Sequence, residues 1–493
     1  MRCRAARIIF IFIILSSVIR ADILKDQSIS WTNFSFITSI ALGYDFVYFG
    51  TSEGILRYSR FEHRWYPPIT VSDGVSDPYI HRLAVTPDGQ VITVQTNNGV
   101  FTYDIVAKNW FVESNFPEDL FIDSRPRTPL PYFLMPPGYQ MSPNGYISDD
   151  NFREYQITAY LDDNFSTVYT GTWGMGPMLV DNDDFSAHLI PYGLLQKRTD
   201  VIYIEGDSIW MGGNEGTRYT DEFQTRFGVT LYDKSKERFT WLEPRYIYGF
   251  DSEIIFDIAG DKKNLYFAGL NGLTIYKRNT GQYITLTRQN GLPETEVTAL
   301  AIAPDSVWIG TYQGLALYTP SADTMVIVSK SIMGQLFITD LELADSKLFI
   351  GSTDGAYYID FRTLDVGRLQ DPEGNLGGEI RHISTHKNEV IISSSSGVTV
   401  INLKTEKSEQ LPFIDFALGA YAAVANDKYF AIAVQDGLLL LTRDKAPKHN
   451  HFDIDDGLLS NNITTIVPDG DFLWLGSDEG LTRFKWMNPD RVD

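Results

Sequence analysis

Ten glycines recur along the chain, and each is followed four residues later by an apolar, often aromatic, residue. None of the ten partners is charged. From Gly228 onward, neighbouring glycines are 40 to 44 residues apart, close to the period of about 40 to 45 residues in four-stranded propeller blades. The pattern therefore indicates a repeat protein. The glycines and their partners are Gly54 and Tyr58, Gly99 and Tyr103, Gly176 and Val180, Gly228 and Tyr232, Gly272 and Tyr276, Gly314 and Tyr318, Gly355 and Ile359, Gly397 and Ile401, Gly437 and Leu441, and Gly480 and Phe484.

One repeat, residues 296–330, shows how a unit is built. It contains four short apolar runs, rich in β-branched or aromatic residues, with turn-forming residues between them. Runs of this length and composition predict antiparallel strands. The predicted strands are Val297 to Ala301, Val307 to Thr311, Leu315 to Thr319 and Met325 to Val328.

Two further columns recur around the turn between the second and third predicted strands. A large, mostly aromatic residue precedes the turn, and we expect it to pack one sheet against the next. A pair of glycines flanks the turn, where a positive φ or a close approach between sheets would exclude a side chain. The aromatic column is Tyr48, Tyr169, Trp210, Tyr266, Trp308, Phe349 and Trp474, and the pairs are Gly50 and Gly54, Gly310 and Gly314, Gly351 and Gly355, and Gly476 and Gly480.

These patterns predict an all-β fold, a β-propeller of four-stranded antiparallel blades with about ten repeats. The last repeat ends after three predicted strands, whereas Ser28 to Asn33 forms an unpaired strand before the first repeat. We therefore expect one ring in which the N-terminal strand completes the last blade, because closure removes an open sheet edge. Two smaller propellers are the alternative, since propellers typically have four to eight blades.

The first 21 residues are typical of a secretory signal peptide. They combine a basic start, an apolar run from Ile8 to Leu15, and the small residue Ala21 before Asp22. The run is shorter than the roughly 20 residues of a spanning helix, although an uncleaved anchor is the alternative. We expect a signal peptide over 1–21, a propeller over 22–493, and a periplasmic or secreted protein without stable membrane insertion.

Composition narrows the partners further. The only cysteine, Cys3, lies in the signal peptide, so we expect no disulfide and no cysteine metal site. The formal net charge is −22, and about −26 without the four arginines of the signal. Such a charge opposes binding to nucleic acid.

Motifs within two of the repeats resemble a known family. Residues 290–318 contain Asn-Gly-Leu-Pro, Val-Trp-Ile-Gly-Thr and Gly-Leu, and residues 456–484 contain Asp-Gly-Leu, Leu-Trp-Leu-Gly-Ser and Gly-Leu in the same order. With weaker matches in the other repeats, nearly the whole predicted mature chain resembles the two-component regulator propeller repeat. The resemblance implies β-propellers, often in periplasmic sensory parts of hybrid histidine kinases, that recognise carbohydrate or other ligands and help dimerisation. This sequence departs from that arrangement, since it shows no membrane span after the repeats, no kinase or β-sandwich module, and ten repeats where seven per ring is usual.

The repeat is interrupted twice, between Gly99 and Gly176 and between Gly176 and Gly228. The first insertion, about residues 112–150, is rich in proline and aromatic residues, and the second spans about residues 217–227. Loops longer than about 15 residues are usually functional or disordered, so we expect an ordered cap that shapes a binding site. A packing or dimer-contact loop is the equal alternative. The candidate ligand-binding residues are Tyr132, Phe133, Tyr139, Tyr146, Trp173, Tyr219 and Arg226.

Signals for catalysis and metal binding are weak. The sequence has no Gly-x-Ser-x-Gly elbow, no phosphate loop and no dinucleotide motif. His449 and His451 precede an acidic segment, and a second acidic run spans residues 181–184, but neither has the ligand spacing of a zinc or EF-hand site. We expect no catalytic residues, no metal and no cofactor.

The favoured function is an exported, non-catalytic β-propeller that binds a ligand or protein as a sensor-like module. Its partner would be an unknown glycan, peptide or envelope protein, with no nucleic acid. One alternative is an enzyme on a propeller scaffold, such as a lyase or glycosidase, which needs acids and histidines converging on the central channel. Another is a structural or assembly component of the cell surface.

Overall fold

The computed structural model describes residues 28–127, 129–214, 226–328, 333–363, 365–371, 374–412, 419–444 and 447–487. In these ranges the chain forms ten antiparallel β-sheets and six short 3-10 turns. No helix in the same ranges is long and apolar enough to cross a membrane. The predicted all-β propeller architecture is confirmed, while the predicted signal peptide lies outside the described residues.

We number the sheets 1–10 in chain order, and the first three precede residue 190. Sheet 3 has six strands, because the first insertion adds β10 and β11 to the four strands of the repeat. Sheet 1 contains β2 (Ile37–Leu42), β3 (Phe46–Thr51), β4 (Gly54–Ser59) and β5 (Trp65–Ile69). Sheet 2 contains β6 (Arg82–Val85), β7 (Val91–Thr96), β8 (Gly99–Asp104) and β9 (Asn109–Glu113). Sheet 3 contains β10 (Tyr139–Met141), β11 (Tyr146–Asp149), β12 (Glu154–Asp162), β13 (Thr167–Thr172), β14 (Pro177–Asp181) and β15 (Ala187–Leu189).

Sheets 4–10 each have four strands, and within residues 296–330 the strand ends lie within two residues of those predicted. Sheets 4 and 5 contain β16 (Val201–Glu205), β17 (Ser208–Gly212), β18 (Val229–Asp233), β19 (Arg238–Leu242), β20 (Ile255–Gly260), β21 (Asn264–Gly269), β22 (Gly272–Lys277) and β23 (Gln282–Leu286). Sheets 6 and 7 contain β24 (Val297–Ala303), β25 (Ser306–Thr311), β26 (Gly314–Thr319), β27 (Thr324–Ile327), β28 (Ile338–Ala344), β29 (Lys347–Ser352), β30 (Gly355–Asp360) and β31 (Val366–Arg368). Sheets 8 and 9 contain β32 (Ile380–His386), β33 (Glu389–Ser394), β34 (Gly397–Asn402), β35 (Ser408–Gln410), β36 (Ala422–Ala425), β37 (Tyr429–Val434), β38 (Gly437–Thr442) and β39 (His449–Phe452). Sheet 10 contains β40 (Ile463–Asp469), β41 (Phe472–Ser477), β42 (Leu481–Lys485) and β1 (Ser28–Trp31).

The sheets pack in two groups. The first strands of sheets 4–10 contact one another in chain order, and β40 of sheet 10 contacts β16 of sheet 4, which gives a seven-sheet ring. Sheets 3, 1 and 2 form a separate three-sheet series, in which β2 contacts β12 on one side and β6 on the other. The expectation of one ring with ten sheets is therefore replaced by a ring of seven and a series of three, and seven is an ordinary propeller size.

The N-terminal strand belongs to the ring. Strand β1 pairs antiparallel with β42, with Ser28 opposite Phe484 and Trp31 opposite Leu481. It thus occupies the fourth-strand position of sheet 10. That β1 stabilises the closed ring stays a prediction, which a measurement of unfolding would test.

The ten glycines of the repeat adopt the positive φ that was expected at the turn. All ten have φ between 90° and 148°, a region that favours glycine. A Cβ on Gly437 would lie 2.1 Å from the carbonyl oxygen of Phe452, and one on Gly480 would lie 2.2 Å from that of Trp31. The earlier glycine of each pair instead allows the next sheet to pack closely. A Cβ on Gly310, for example, would lie 2.5 Å from Ile338 Cγ2.

The Asn-Gly-Leu-Pro and Asp-Gly-Leu motifs lie in the links between sheets. At residues 287–291, the Thr287 hydroxyl accepts a hydrogen bond from the backbone of a 3-10 turn, and the Asn290 side chain accepts one from the Thr287 backbone N–H. Gly291 ends the turn with φ 101°. The same capping box and left-handed glycine occur at residues 70–74 and 453–457. Polar caps followed by glycine therefore explain why the motif recurs where one sheet ends and the next begins.

Sheet 2 ends the three-sheet series, and its sequence is different from that of the other sheets. Gln95 stands where the other sheets have glycine, alanine or serine, and Thr93 stands where seven of the other nine have an aromatic residue. The first insertion packs beside it: the Arg82 guanidinium lies 4.2 Å from the Phe116 ring centroid and 4.1 Å from that of Phe121. This segment therefore takes part of the place that a neighbouring sheet would occupy.

Sheet 3 begins the series, and the second half of the insertion covers it. Ile157 corresponds to Ile255 and Ile338, which pack against glycines of the preceding sheets in the ring. In sheet 3, Ile157 shares a buried cluster with Phe133 and Ile147 of the insertion. The insertion thus packs against both ends of the three-sheet series.

Candidate binding site where the two insertions meet

The candidate residues of the first insertion are divided between core and surface. Phe133 is fully buried, with 0 % exposed, and its ring stacks on Tyr160 at 6.4 Å. It is therefore not available to a ligand, because it fills the core between the insertion and sheet 3. Tyr132 is 66 % exposed, and Tyr146 is partly exposed on β11. Tyr139 is half-buried on β10.

Two further candidates, Trp173 and Tyr219, do not lie among the residues of this junction that the structure describes. Trp173 is half-buried, and its ring meets Phe36 edge-on at 5.0 Å, which is a packing contact beside sheet 1. Tyr219, and most of the second insertion, lies outside the described residues.

Arg226, at the end of the second insertion, meets the end of the first. Glu243 accepts hydrogen bonds from Arg226 Nε at 2.9 Å and from Arg153 Nη1 at 2.6 Å. All three side chains are about nine-tenths buried. The Arg226 guanidinium also lies 4.8 Å from the ring centroid of Trp241. One glutamate thus joins sheet 4 to the chain that follows the first insertion.

The electrostatics of this junction keep its charges in place. Burial opposes the charged form of Arg226, but Glu243 holds its pKa above the usual value. Burial raises the pKa of Tyr139, and among the charges acting on that tyrosine are Arg226 and Glu243. The structure therefore brings together two of the predicted residues, Tyr139 and Arg226. Because the buried charges of Arg226, Arg153 and Glu243 already neutralise one another, this junction positions the surrounding chain and does not itself offer a charge to a ligand.

A cavity of about 1300 Å³ opens beside the junction. Its walls come from the link between sheets 4 and 5, from the outer strands of sheet 5, and from the turn at Asp150 and Asn151 that follows β11. Tyr248 is 99 % exposed at this cavity. The aromatic lining residues are Phe227, Tyr246, Tyr248, Phe250 and Tyr283, and the polar ones include Asp150, Asn151, Arg245, Asp251, Glu253, Asn271 and Thr285.

Hydrogen bonds fix the wall formed by residues 249–251. Thr285 Oγ1 donates to the Gly249 carbonyl at 2.8 Å, and Asn271 Nδ2 donates to the Asp251 carbonyl at 2.8 Å. Phe250 stacks on Tyr283 with ring centroids 5.3 Å apart. The wall is therefore built before any ligand binds, as is usual for binding cavities.

Sequence reasoning missed most of the cavity. Of its lining residues, only Asp150 and Phe227 fall within the two predicted insertions. A signal was nevertheless present in the link after Leu242, which has three aromatic residues, Tyr246, Tyr248 and Phe250, and no capping box like that of the Gly-Leu links. Its 3-10 turn begins at Pro244 with no side-chain cap.

The central axis of the ring carries a second group of polar residues. Asp257, Asp340 and Glu342 are half-buried on the inner strands β20 and β28. Burial raises the pKa of Asp257 to about 7, of Asp340 to about 6 and of Glu342 to about 7. Asp257 accepts a hydrogen bond from the Leu300 amide at 2.7 Å, so its carboxylate also links two sheets.

The metal-ligand candidates have structural roles. His449 and His451 lie on β39, and Asp453 caps the following 3-10 turn. No group of three histidine, aspartate or glutamate residues in the described part of the chain is arranged to hold a metal ion.

Comparisons with known proteins agree with the fold. No family model and no curated protein sequence matches the chain. Among solved structures, PorZ, a surface component of the type-IX secretion system of Porphyromonas gingivalis, is 17 % identical, with a TM-score of 0.51 over 91 % of this chain and 68 % of PorZ. The extracellular domain of BT4673 from B. thetaiotaomicron, proposed as a one-component system, is 15 % identical, with a TM-score of 0.47 over 91 % of this chain and 70 % of that domain. At these identities the likeness shows the fold alone.

Proposed function

We propose that the protein is an exported, non-catalytic binding protein and that the cavity between sheets 4 and 5 is its ligand-binding site. The observation that carries the proposal is this cavity of about 1300 Å³ with its five aromatic lining residues. Aromatic walls with a few fixed polar groups are the usual composition of a ligand site. The predicted signal peptide supports export, and the sequence has no recognised catalytic motif that would favour an enzyme.

The location of the cavity supports the same reading. Both interruptions of the repeat end beside it, because Arg226 and Arg153 share Glu243 at its edge. Loops inserted into a rigid scaffold commonly carry function. The buried core of the first insertion fixes the scaffold, whereas its last turn, at Asp150 and Asn151, reaches the cavity.

The test compares two exposed tyrosines. We expect Tyr248→Ala to abolish or weaken binding at least tenfold on an array of oligosaccharides and peptides, because Tyr248 offers a fully exposed ring at the cavity. Tyr132→Ala is the matched control, since Tyr132 is also exposed but does not line the cavity. Equal binding by the wild type and Tyr248→Ala would contradict the proposal, and loss in Tyr132→Ala alone would move the site to the insertion surface.

An enzyme is the second candidate, and the axial acids favour it. Carboxyl groups with a pKa near 7 suit general acid catalysis. Against this, the Asp257 and Asp340 carboxylates each accept two backbone amides, which is a structural role. Release of sugar ends from a polysaccharide by the wild type, lost in Glu342→Gln, would favour the enzyme over the binding protein.

A further inference from the structure

The charges around the cavity are unbalanced. Three carboxylates line it, from Asp150, Asp251 and Glu253, against one cation, Arg245. Arg245 is already neutralised by Glu253, with Nε and Oε1 2.8 Å apart. Among the described residues no side chain pairs with the carboxylate of Asp150 or Asp251, and both residues are exposed. A ligand in the cavity therefore meets two uncompensated negative charges.

The two nearby arginines, Arg153 and Arg226, do not neutralise the carboxylates of Asp150 and Asp251. Arg153 and Arg226 are buried and both bind Glu243. They hold the junction beside the cavity, and their side chains do not line it. The formal charge of −22 on the chain adds a long-range field that attracts cations and repels anions.

The aromatic residues that line the cavity also favour a positively charged ligand. The negative face of an aromatic ring attracts ammonium and guanidinium groups within about 6 Å. Tyr246 already binds one such group, since the Arg153 guanidinium lies 5.1 Å from its ring centroid. Among the described residues, no group forms a hydrogen bond with the buried Tyr246 hydroxyl. The Tyr248 side chain is 99 % exposed.

From these observations we propose that the cavity binds a basic peptide segment, with lysine or arginine side chains between the tyrosines and the carboxylates of Asp150 and Asp251. The inference rests on the proposed function, because it names the ligand class of the same site. A volume of about 1300 Å³ exceeds the space of one amine and suits several residues of a chain. A neutral sugar would donate hydroxyl hydrogen bonds to the two carboxylates but would leave their charge uncompensated, and an anionic sugar would be repelled.

The experiment measures fluorescence polarisation of a labelled peptide of alternating lysine and glycine. We expect the wild-type protein to bind it, and Asp150→Asn/Asp251→Asn to bind it at least about tenfold more weakly, because the variant removes both carboxylates that would pair with the lysine ammonium groups. Asp207→Asn/Asp436→Asn is the control, because it changes the net charge equally at two exposed turns away from the cavity. Equal weakening by both double variants would overturn the proposal, since it would show only general attraction.

Two further probes separate this inference from the proposed function. The same peptide with glutamate in place of lysine and a neutral glucose oligosaccharide are tested with the wild type and Tyr248→Ala. If the wild type binds the oligosaccharide but not the lysine peptide, and Tyr248→Ala loses that binding, the proposed peptide ligand is rejected and the proposed site stands. Binding of the lysine peptide that is unaffected by Tyr248→Ala and by Asp150→Asn/Asp251→Asn would reject both.

Discussion

The seven-sheet ring and the three-sheet series are built from one repeat, but their ends differ. In the ring each sheet has two neighbours, and Gly476 of sheet 10 packs against Thr199, just before sheet 4. In the series, sheets 2 and 3 each lack one sheet neighbour in the order of contacts. The series is finished instead by residues 114–149 of the first insertion, with Phe116 and Phe121 at one end and Phe133 at the other. A repeat can therefore stop without closing when another part of the chain covers its ends.

The two bodies are joined by an aromatic core. Trp31 of the ring donates a hydrogen bond from Nε1 to the Tyr192 hydroxyl at 3.1 Å, and Tyr192 contacts Trp65 of sheet 1 with ring centroids 5.0 Å apart. Burial of such large rings contributes several kcal/mol, on the order of 2 to 3 per side chain. The N-terminal strand thus lies at both the ring seam and the interface with the series.

The largest expected effect comes from removing that strand. We expect deletion of residues 22–34 to lower the free energy of unfolding by more than about 5 kcal/mol, because truncating Trp31 alone would cost about 3 to 5 kcal/mol and the edge of β42 would be exposed. Thermal unfolding followed by circular dichroism measures the loss. Phe111→Ala, in the exposed fourth strand of sheet 2, is the control and should change little. An unchanged melting temperature in the deletion would refute closure by the N-terminal strand.

Loss of the cap on the series is the next effect. We expect Phe133→Ala to destabilise the protein by about 3 to 5 kcal/mol, because it leaves a cavity in a fully buried cluster. The neighbouring Tyr132→Ala should cost less than about 0.5 kcal/mol, since that side chain is mostly exposed. Urea unfolding of the two variants gives the comparison. Similar values for both would show that the insertion does not support sheet 3.

Only the ring should carry a strong pH response. Just after the β-bulge in the first strand of the repeat, sheets 5 and 7 of the ring have Asp257 and Asp340. Sheets 1 and 3 of the series have Ser39 and Ala159 at the same position. The raised pKa values, about 7 and about 6, mean that the folded protein keeps protons that the unfolded chain releases near pH 4. The free energy of unfolding therefore falls as pH rises from about 4 to about 7, by up to about 1.4 kcal/mol for each unit by which a pKa is raised.

The measurement compares Asp257→Asn with the wild type in urea at several pH values. The Leu300 amide and the charge of Asp340 face Asp257, and Glu342 and His382 lie on neighbouring inner strands. Burial lowers the pKa of His382 to about 4, which acts in the opposite direction below about pH 6.5. The difference between the two proteins removes that contribution. A slope that is the same in both would show that Asp257 does not titrate in this range.

The smallest effect concerns the other end of the series. We expect Arg82→Ala to cost about 1 to 2 kcal/mol, because it removes two cation–π contacts worth about 0.5 to 1 kcal/mol each. Its ion pair with Glu118 adds little, since Glu118 is 69 % exposed. Arg125→Ala, which breaks a fully exposed pair with Asp123, is the control. Equal urea midpoints for the two variants would show that residues 116–121 do not stabilise sheet 2.

Much of the fold could be read from local sequence. The glycine spacing predicted ten repeats, and the positive φ at all ten glycines explains why the pattern is so regular. The sheet number per ring could not be read in this way, because it depends on which sheet meets which. Gln95 was the available signal, since glycine, alanine or serine occupies that position in each of the other nine sheets.

The candidate site was predicted less well than the fold. Arg153, just after the first insertion, and Arg226, in the second, both bind Glu243. Phe133, however, proved to be core, and the cavity is lined mainly by an ordinary link between sheets. An aromatic residue in a loop has the same sequence signature whether it packs inward or faces solvent. Phe133 and Tyr132 are adjacent, and only the course of the chain separates their environments.

The sequence by itself determined the repeat, the strand positions and the glycine turns, because each depends on backbone conformation and contacts within one sheet. The tertiary structure decided the ring of seven, the capped series of three and the position of the cavity. These depend on contacts between residues far apart in the chain, such as Trp31 with Tyr192 and Arg153 with Glu243. No local pattern encodes such pairs, since packing selects them only when all the sheets are in place.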